Sequence, residues 1–159
     1  MEMLEEREKK QVGQKTLIEE LMSKNDPIVE AIISLLQSDS LLKVLVDEWE
    51  RVNGVLAKEG CTIGVGWEND RFNEYDRNRD EAEHVYKIFL KRDDKDIARG
   101  EKINWVLGHH IRNVLSEDYT LGGTVPVSFV RSIEALYSEN TEQMHLTEIT
   151  LEVKTYAKR

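Results

Sequence analysis

The stretch HVYKIFLK, residues 84–91, is rich in β-branched and aromatic side chains and is typical of a β-strand. A second strand is predicted upstream, at CTIGVGW, residues 61–67. Its alternate apolar residues would share one face of that strand: Cys61, Ile63, Val65 and Trp67. The two glycines between them indicate that another backbone or a packed helix comes close to the opposite face. The middle of the chain therefore contributes two strands to a sheet.

Helices are predicted on both sides of these strands. NDPIVEAIISLLQSDS, residues 25–40, begins with Asp26 as an N-cap and Pro27 at the first helical position, and an apolar stripe follows. Apolar residues at three-to-four spacing predict a further helix over residues 41–58, although Asn53-Gly54 could instead mark a turn.

A long helix is predicted after the second strand, within residues 92–118, with Asp93 or Asp94 as its cap. Gly100 and Gly108 should each weaken it by about 1 kcal/mol relative to alanine. Its predicted buried face consists of Ile97, Ile103, Val106, Leu107, Ile111, Val114 and Leu115.

Two strands close the chain, at VSFVRSIEALY and at MHLTEITLEVKTYAK. A shift of apolar phase between Leu146 and Ile149 predicts a β-bulge near Thr147 or Glu148. The element order α(α)-β-β-α-β-β predicts an α+β fold, a two-layer sandwich of about four mainly antiparallel strands with helices packed on one face. Residues 25–159 would form this single domain.

Residues 1–24 are predicted to form a charged N-terminal helix or arm. Charge dominates up to about Lys15, and Gly13 interrupts the segment. Apolar residues then recur at helical spacing: Leu17, Ile18, Leu21 and Met22. The pattern predicts that the second half of this helix packs against something.

Composition and charge exclude several classes of protein. The formal net charge of −9 argues against general binding to a nucleic-acid backbone, which needs a basic footprint, but it allows DNA to pass without being held. Cys61 is the only cysteine, so no intramolecular disulfide is possible and a reducing cytoplasm is expected. The apolar runs are far shorter than the roughly 20 residues that span a bilayer, and the N-terminus has no signal-peptide pattern. A soluble, intracellular protein is expected.

Polar residues fill the interval between the two central strands, from Glu68 to about Glu83. Calcium loops need oxygen ligands at alternating positions and a glycine at the sharp turn, and this segment supplies the oxygens without the glycine. We predict a charge-balanced, solvated loop that protrudes between the strands and touches another subunit rather than a substrate. The candidate contact residues are Asp70, Arg71, Phe72, Tyr75, Arg77 and Arg79.

No other pattern supports catalysis. Cys61 lies on an apolar strand face, where burial would make a thiol inert, and no serine stands in a GxSxG turn. His109 and His110 would point about 100° apart on a helix, so they could not easily hold one metal ion. His84 and His145 begin separate strands and could approach each other. We predict no catalytic, cofactor-binding or metal-binding residue.

The order of the elements resembles the tail terminator proteins of tailed bacteriophages, also called tail completion, head–tail joining or neck proteins. The resemblance covers roughly residues 26–159. It is carried by DPIVEAIISLLQSDS, TIGVGW, HVYKIFLKR, a long helix, and two closing strands that end in LTEITLEVKTYAKR. The charged arm and the possible helix at 41–58 are longer than the minimal form of that family.

The resemblance implies a structural virion protein without enzymatic activity. It would form a homo-oligomeric ring, usually a hexamer, that caps the tail tube, ends its polymerisation and faces the head connector. Its place would be the tail or neck of the virion, after assembly in the host cytoplasm, with DNA passing through the lumen. Two alternatives remain open: an adaptor domain that binds a protein partner through its charged N-terminal helix, and a metal-dependent enzyme that uses the acids of residues 66–90 with His84.

Overall fold

The structure is a computed structural model that describes residues 2–22, 26–51, 60–136 and 144–158. Those residues contain four helices and five strands. The helices are α1 (Glu2–Met22), α2 (Pro27–Gln37), α3 (Ser40–Leu45) and α4 (Ile97–Glu117). The strands are β1 (Glu48–Glu50), β2 (Thr62–Glu74), β3 (Arg79–Asp93), β4 (Val127–Leu136) and β5 (Met144–Lys158). The predicted α+β class is confirmed.

The strands form one sheet in the order β1-β2-β3-β5-β4, in which β1 runs parallel to β2 and every other pair is antiparallel. The sheet therefore contains the four predicted strands and one short strand more. β3 and β5 pair along their whole length, from Arg79 opposite Lys158 to Asp93 opposite Met144. This uninterrupted ladder lies at the centre of the sheet.

The predicted bulge at Thr147 or Glu148 is wrong, because the β3–β5 register is continuous there. Leu146 simply belongs to the face opposite the helices, where it packs with Phe89 and Leu136. The apolar residues that follow on the helix-facing side belong to the main core: Ile149, Leu151 and Val153. The register shifts instead in β2, between Trp67 and Asn69, and in β4, between Val130 and Ser132.

The main core lies between one face of the sheet and helices α2 and α4. Asp26 caps α2 by accepting a hydrogen bond from the Ile28 backbone N–H at 2.8 Å, and it also accepts one from the Tyr86 hydroxyl at 2.9 Å. A single carboxylate therefore begins α2 and fixes it to β3. The largest fully buried side chains of the protein include Ile32, Leu36, Ile63, Ile88, Leu90, Ile111 and Ile149.

The predicted helix over residues 41–58 is wrong over much of its length. α3 ends at Leu45, and Glu48–Glu50 then form the edge strand β1 beside β2. The reason is a paired contact with the start of β2: the Asp47 backbone N–H donates to the Cys61 carbonyl at 2.8 Å, and the Asp47 carboxylate accepts from the Cys61 N–H at 2.9 Å. Residues 52–59, with Asn53-Gly54, lie outside the described residues.

α4 is capped by Asp96, which accepts from the Arg99 backbone N–H at 3.1 Å, rather than by Asp93 or Asp94. Ile97 and Val106 of its predicted buried face are exposed. Gly100 and Gly108 both face the sheet: a Cβ on Gly100 would lie 2.1 Å from Nε2 of His145, and one on Gly108 would lie 3.3 Å from Cγ2 of Thr147. The two glycines let α4 approach the sheet closely.

α1 does not pack against the described part of its own chain, so the contact expected of its second half stays a prediction. Every one of its residues from Met3 to Leu21 is exposed, including Leu17, Ile18 and Leu21 of the expected buried stripe. The side chain of Met22 lies outside the described residues. The helix therefore presents its apolar side chains to the outside of the domain.

We predict that Gly100→Ala lowers the free energy of unfolding by about 1–3 kcal/mol, because the added methyl group must displace the buried His145 ring. Gly13→Ala is the control, since a Cβ at position 13 has nothing within 4 Å. Urea denaturation of the two variants measures the difference. Equal stability of Gly100→Ala and the unsubstituted protein would contradict the close approach of α4 to β5.

Candidate functional site

The segment predicted as a loop is part of the sheet. β2 continues to Glu74 and β3 starts at Arg79, so only residues 75–78 form the turn. On the side of this turn, the last core residues of β2, β3 and β5 are Val65, Tyr86 and Val153. Between them and the turn, the side chains on both faces of the sheet are half-buried or exposed. Residues 67–74, 79–85 and 154–158 thus form a three-stranded extension of the sheet. The predicted solvated loop between residues 68 and 83 is wrong, although the segment does protrude beyond the core.

The tip of the three-stranded extension is held by Asp76. Its carboxylate accepts hydrogen bonds from the backbone N–H groups of Asn78 and Arg79, both at 2.8 Å, and it pairs with the Arg79 guanidinium at 3.1 Å. The Arg79 guanidinium carbon lies 5.2 Å from the centre of the Tyr75 ring, and that ring meets Tyr156 edge to face, also at 5.2 Å. The tip is therefore an ordered turn.

Four side chains join the strands of the extension on the face that also carries the helices. Nδ1 of His84 lies 2.6 Å from Oδ1 of Asp70, and Nε2 of His84 lies 2.9 Å from Oγ1 of Thr155. The Trp67 indole N–H donates to Asp70 at 2.8 Å. The order hydroxyl, imidazole, carboxylate is that of hydrolytic triads, but here each hydrogen bond links neighbouring strands or spans the β2 register shift. The cluster therefore ties the three strands of the extension together.

The electrostatics of Asp70 follow from these contacts. Partial burial alone would raise the pKa of the Asp70 carboxyl, but the hydrogen bonds from His84 and Trp67 outweigh it and hold that pKa below its usual value. The carboxylate is therefore ionised at neutral pH and accepts from both partners.

The six predicted contact residues do not form one patch. Asp70 and Phe72 lie on the helix-facing side of the extension, whereas Arg71, opposite Glu83, lies on the other side. Tyr75, Arg77 and Arg79 lie at the tip. Phe72 is 73% exposed, and Trp67, Tyr75 and Tyr156 are also exposed large side chains of this extension.

The sheet face opposite the helices carries alternating charges in cross-strand pairs. Nζ of Lys87 lies 2.5 Å from Glu148 and 3.5 Å from Glu68, and Lys154 lies 3.5 Å from Glu81. Burial would lower the pKa of Lys87, but its pairing with the two glutamates raises it above the usual value. The acids on this face are thus balanced by bases, and the face does not form a uniformly acidic wall.

An apolar groove between α4 and the β4–β5 end of the sheet was not predicted from the sequence. Its volume is about 660 Å³, and Ile97, Trp105, Ile133, Leu136 and Leu146 are among the residues that line it. Trp105 is 63% exposed and Ile97 46%. Trp105, at an outward position of the amphipathic helix α4, is the sequence feature that could have indicated this groove, because large apolar patches on a surface mark interaction sites.

Asn104 lies at the bottom of this groove with only 3% of its surface exposed. Its amide N–H group donates to the His145 carbonyl at 3.1 Å and to the Thr147 hydroxyl at 3.3 Å. Its carbonyl oxygen, Oδ1, is buried without a hydrogen-bond partner among the described residues. Such a group normally has a partner, so an incoming donor would complete the site.

The histidines and the cysteine hold structural positions. His110 lies 2.8 Å from the carboxylate of Asp39, the cap of α3, and His109 packs on Trp105 with ring centres 4.5 Å apart. His84 and His145 do not meet, since they pair with Val153 and Arg92, far apart along the β3–β5 ladder. Burial raises the pKa of the Cys61 thiol to about 11.

No three His, Cys, Asp or Glu side chains converge as metal ligands within residues 2–22, 26–51, 60–136 and 144–158. Over those same ranges, no helix is long and apolar enough to cross a membrane.

No family model matches the chain, and no curated protein matches it in sequence. A chain of a solved structure, "Virion of native gene transfer agent (GTA) particle", superposes with a TM-score of 0.47 and 11% sequence identity, covering 80% of this chain and 93% of that chain. Similarity at this level does not establish a common function.

We predict that His84→Ala raises the pKa of the Asp70 carboxyl toward or above its ordinary value, because the largest stabilising hydrogen bond is lost. Trp67→Phe, which removes only the weaker donor, should raise it less. Since the folded-state pKa lies below the unfolded value of about 3.9, the stabilisation is present above that pH and is lost as pH falls through the folded-state pKa. An NMR titration of the Asp70 side-chain carbon measures both shifts, and an unchanged pKa in His84→Ala would contradict this account.

Proposed function

We propose that this protein is a structural virion protein of a tailed phage, a tail terminator or neck component that assembles into a ring, usually a hexamer. The ring would end polymerisation of the tail tube and face the head connector. In this proposal the protein has no catalytic activity, and it functions in the tail or neck of the virion after assembly in the host cytoplasm.

The three-stranded extension is the observation that carries the proposal. It continues the sheet beyond the core and carries four exposed aromatic side chains: Trp67, Phe72, Tyr75 and Tyr156. Exposed aromatic residues on a rigid sheet are typical anchors of protein–protein contacts. The Asp70–His84–Thr155 hydrogen bonds and the Asp76 turn keep these side chains in place, as a contact with a neighbouring subunit or the tail tube requires.

Charge supports the passage of DNA through such a ring. A subunit with a formal net charge of −9 repels the phosphate backbone, so DNA would slide through a lumen without being held. The elements on which the resemblance to tail terminators rests occur in the same order in the structure, which supports the proposal: α2, the hairpin of β2 and β3, the long helix α4, and the closing strands β4 and β5.

The exposed α1 favours a second candidate function, an adaptor domain that binds another protein through its N-terminal helix. Its apolar side chains have no cover in the described part of the domain. Replacing Leu17 and Leu21 by aspartate separates the candidates: an adaptor loses its partner, whereas a terminator keeps the tube contact of the three-stranded extension.

We predict that the purified protein forms a ring-sized species, or binds the ends of tail tubes, in analytical ultracentrifugation and native mass spectrometry. Phe72→Asp should weaken binding to tube ends at least about tenfold, because truncating or charging an aromatic anchor costs 2 kcal/mol or more. Val44→Asp is the matched control, since Val44 is an exposed apolar residue of α3 outside the extension. A protein that stays monomeric at high concentration and does not bind tube ends would contradict the proposal.

A further inference from the structure

We propose that the apolar groove between α4 and the β4–β5 end of the sheet binds helix α1 of a second copy of this chain. The contacting segment would be residues 14–21. The inference rests on the proposed self-assembly and names one contact within it.

The two surfaces are uncovered in a single copy. Leu17, Ile18 and Leu21 are 61%, 55% and 64% exposed, and Trp105 on the groove is 63% exposed. Every residue from Met3 to Leu21 is exposed, so α1 does not cover the groove of its own chain. An apolar helix segment and an apolar groove thus face solvent in the same molecule, and each has the chemistry that the other needs.

The pattern of α1 fits a groove better than a coiled coil. A coiled coil needs apolar residues at two positions of every heptad over several heptads. In α1 the apolar heptad positions are interrupted: Leu17, Ile18 and Leu21 lie in the last turns and Met3 and Leu4 in the first, whereas Arg7, Lys10 and Gln11 occupy the corresponding positions between them. The cluster from Leu17 to Leu21 spans about 6 Å along the helix axis, which suits a short groove.

Polar groups at the two surfaces also match. Gln14 lies one turn before Leu17 and Ile18 on the same helix face, and its amide supplies a donor for the buried, unpartnered Oδ1 of Asn104. Lys15 flanks the apolar face of the segment beside Ile18, and Glu101 lines the groove. A base beside the helix segment and an acid beside the groove fix the orientation of docking.

The geometry of the contact leads to a closed assembly. The helix segment and the groove are different surfaces. Each copy would therefore place its α1 in the groove of one neighbour and bind α1 of another neighbour in its own groove. Such head-to-tail interfaces generate rings when the rotation closes. The contact therefore accounts for a ring without requiring the three-stranded extension to pair copies with each other.

Cysteine cross-linking in the full chain tests this contact. Ile18→Cys in one population and Ala98→Cys in an isotopically labelled second population are mixed and oxidised, and the mixed disulfide is counted by mass spectrometry. Ala98 is an exposed residue of the groove, and Cys61 stays in place because it is buried. We expect the mixed disulfide to form about tenfold or more faster than with Met3→Cys, the control at the other end of α1, because docking raises the local concentration.

A charge exchange adds a second readout. Lys15→Glu should slow the cross-link, and Glu101→Lys in the partner population should restore its rate. A rate no higher than that of the Met3→Cys control overturns the inference, as does preferential pairing of Ile18→Cys with itself, which indicates helix–helix pairing. Intramolecular closure in a dilute chain that carries both cysteines also overturns it. If the protein oligomerises but the mixed disulfide does not form, the α1–groove contact is overturned and the proposed ring function still stands. A protein that stays monomeric and binds no tail tube contradicts both the contact and the proposed function.

Discussion

The structure depends on the antiparallel ladder between β3 and β5. The two strands pair from Arg79–Lys158 to Asp93–Met144, and neither is at an edge of the sheet. Because the ladder has no bulge, every second residue of both strands faces the helices, and the main core gathers around these positions. At one end of the ladder α4 approaches through Gly100 and Asn104 and forms the groove. At the other end the ladder passes beyond the helices and becomes the three-stranded extension.

Much of the fold could be predicted from the sequence, because burial on one face leaves a periodic apolar pattern. The core strands around Ile63 and Ile88 and the helix capped by Asp26 have that pattern. The extension does not, since neither of its faces is buried against a helix, and its strands are held by pairing with their neighbours. β1 is three residues long and is positioned by the contacts of Asp47 with Cys61, which no local pattern encodes.

The candidate site was harder to predict for the same physical reason. The sequence stretch that contains Asp70 and Phe72 was correctly singled out as protruding, but residues adjacent in sequence alternate between the two faces of a strand. They could not form one patch. The groove combines residues of α4, β4 and β5 that are distant in sequence, so no local pattern predicted it. The Asp70–His84–Thr155 cluster likewise joins three strands.

The two ends of the β3–β5 ladder present different surfaces. The central claim is that the exposed apolar surfaces of the protein mediate assembly, while the charge-paired sheet face stays free. Hydrogen–deuterium exchange of the full chain, compared between dilute and concentrated protein, tests this most directly. The account predicts that assembly slows exchange in α1 around Ile18 and in α4 around Trp105, and leaves the amides of α3 around Val44 unchanged. Slower exchange in other described segments, with α1 and α4 unaffected, would contradict it.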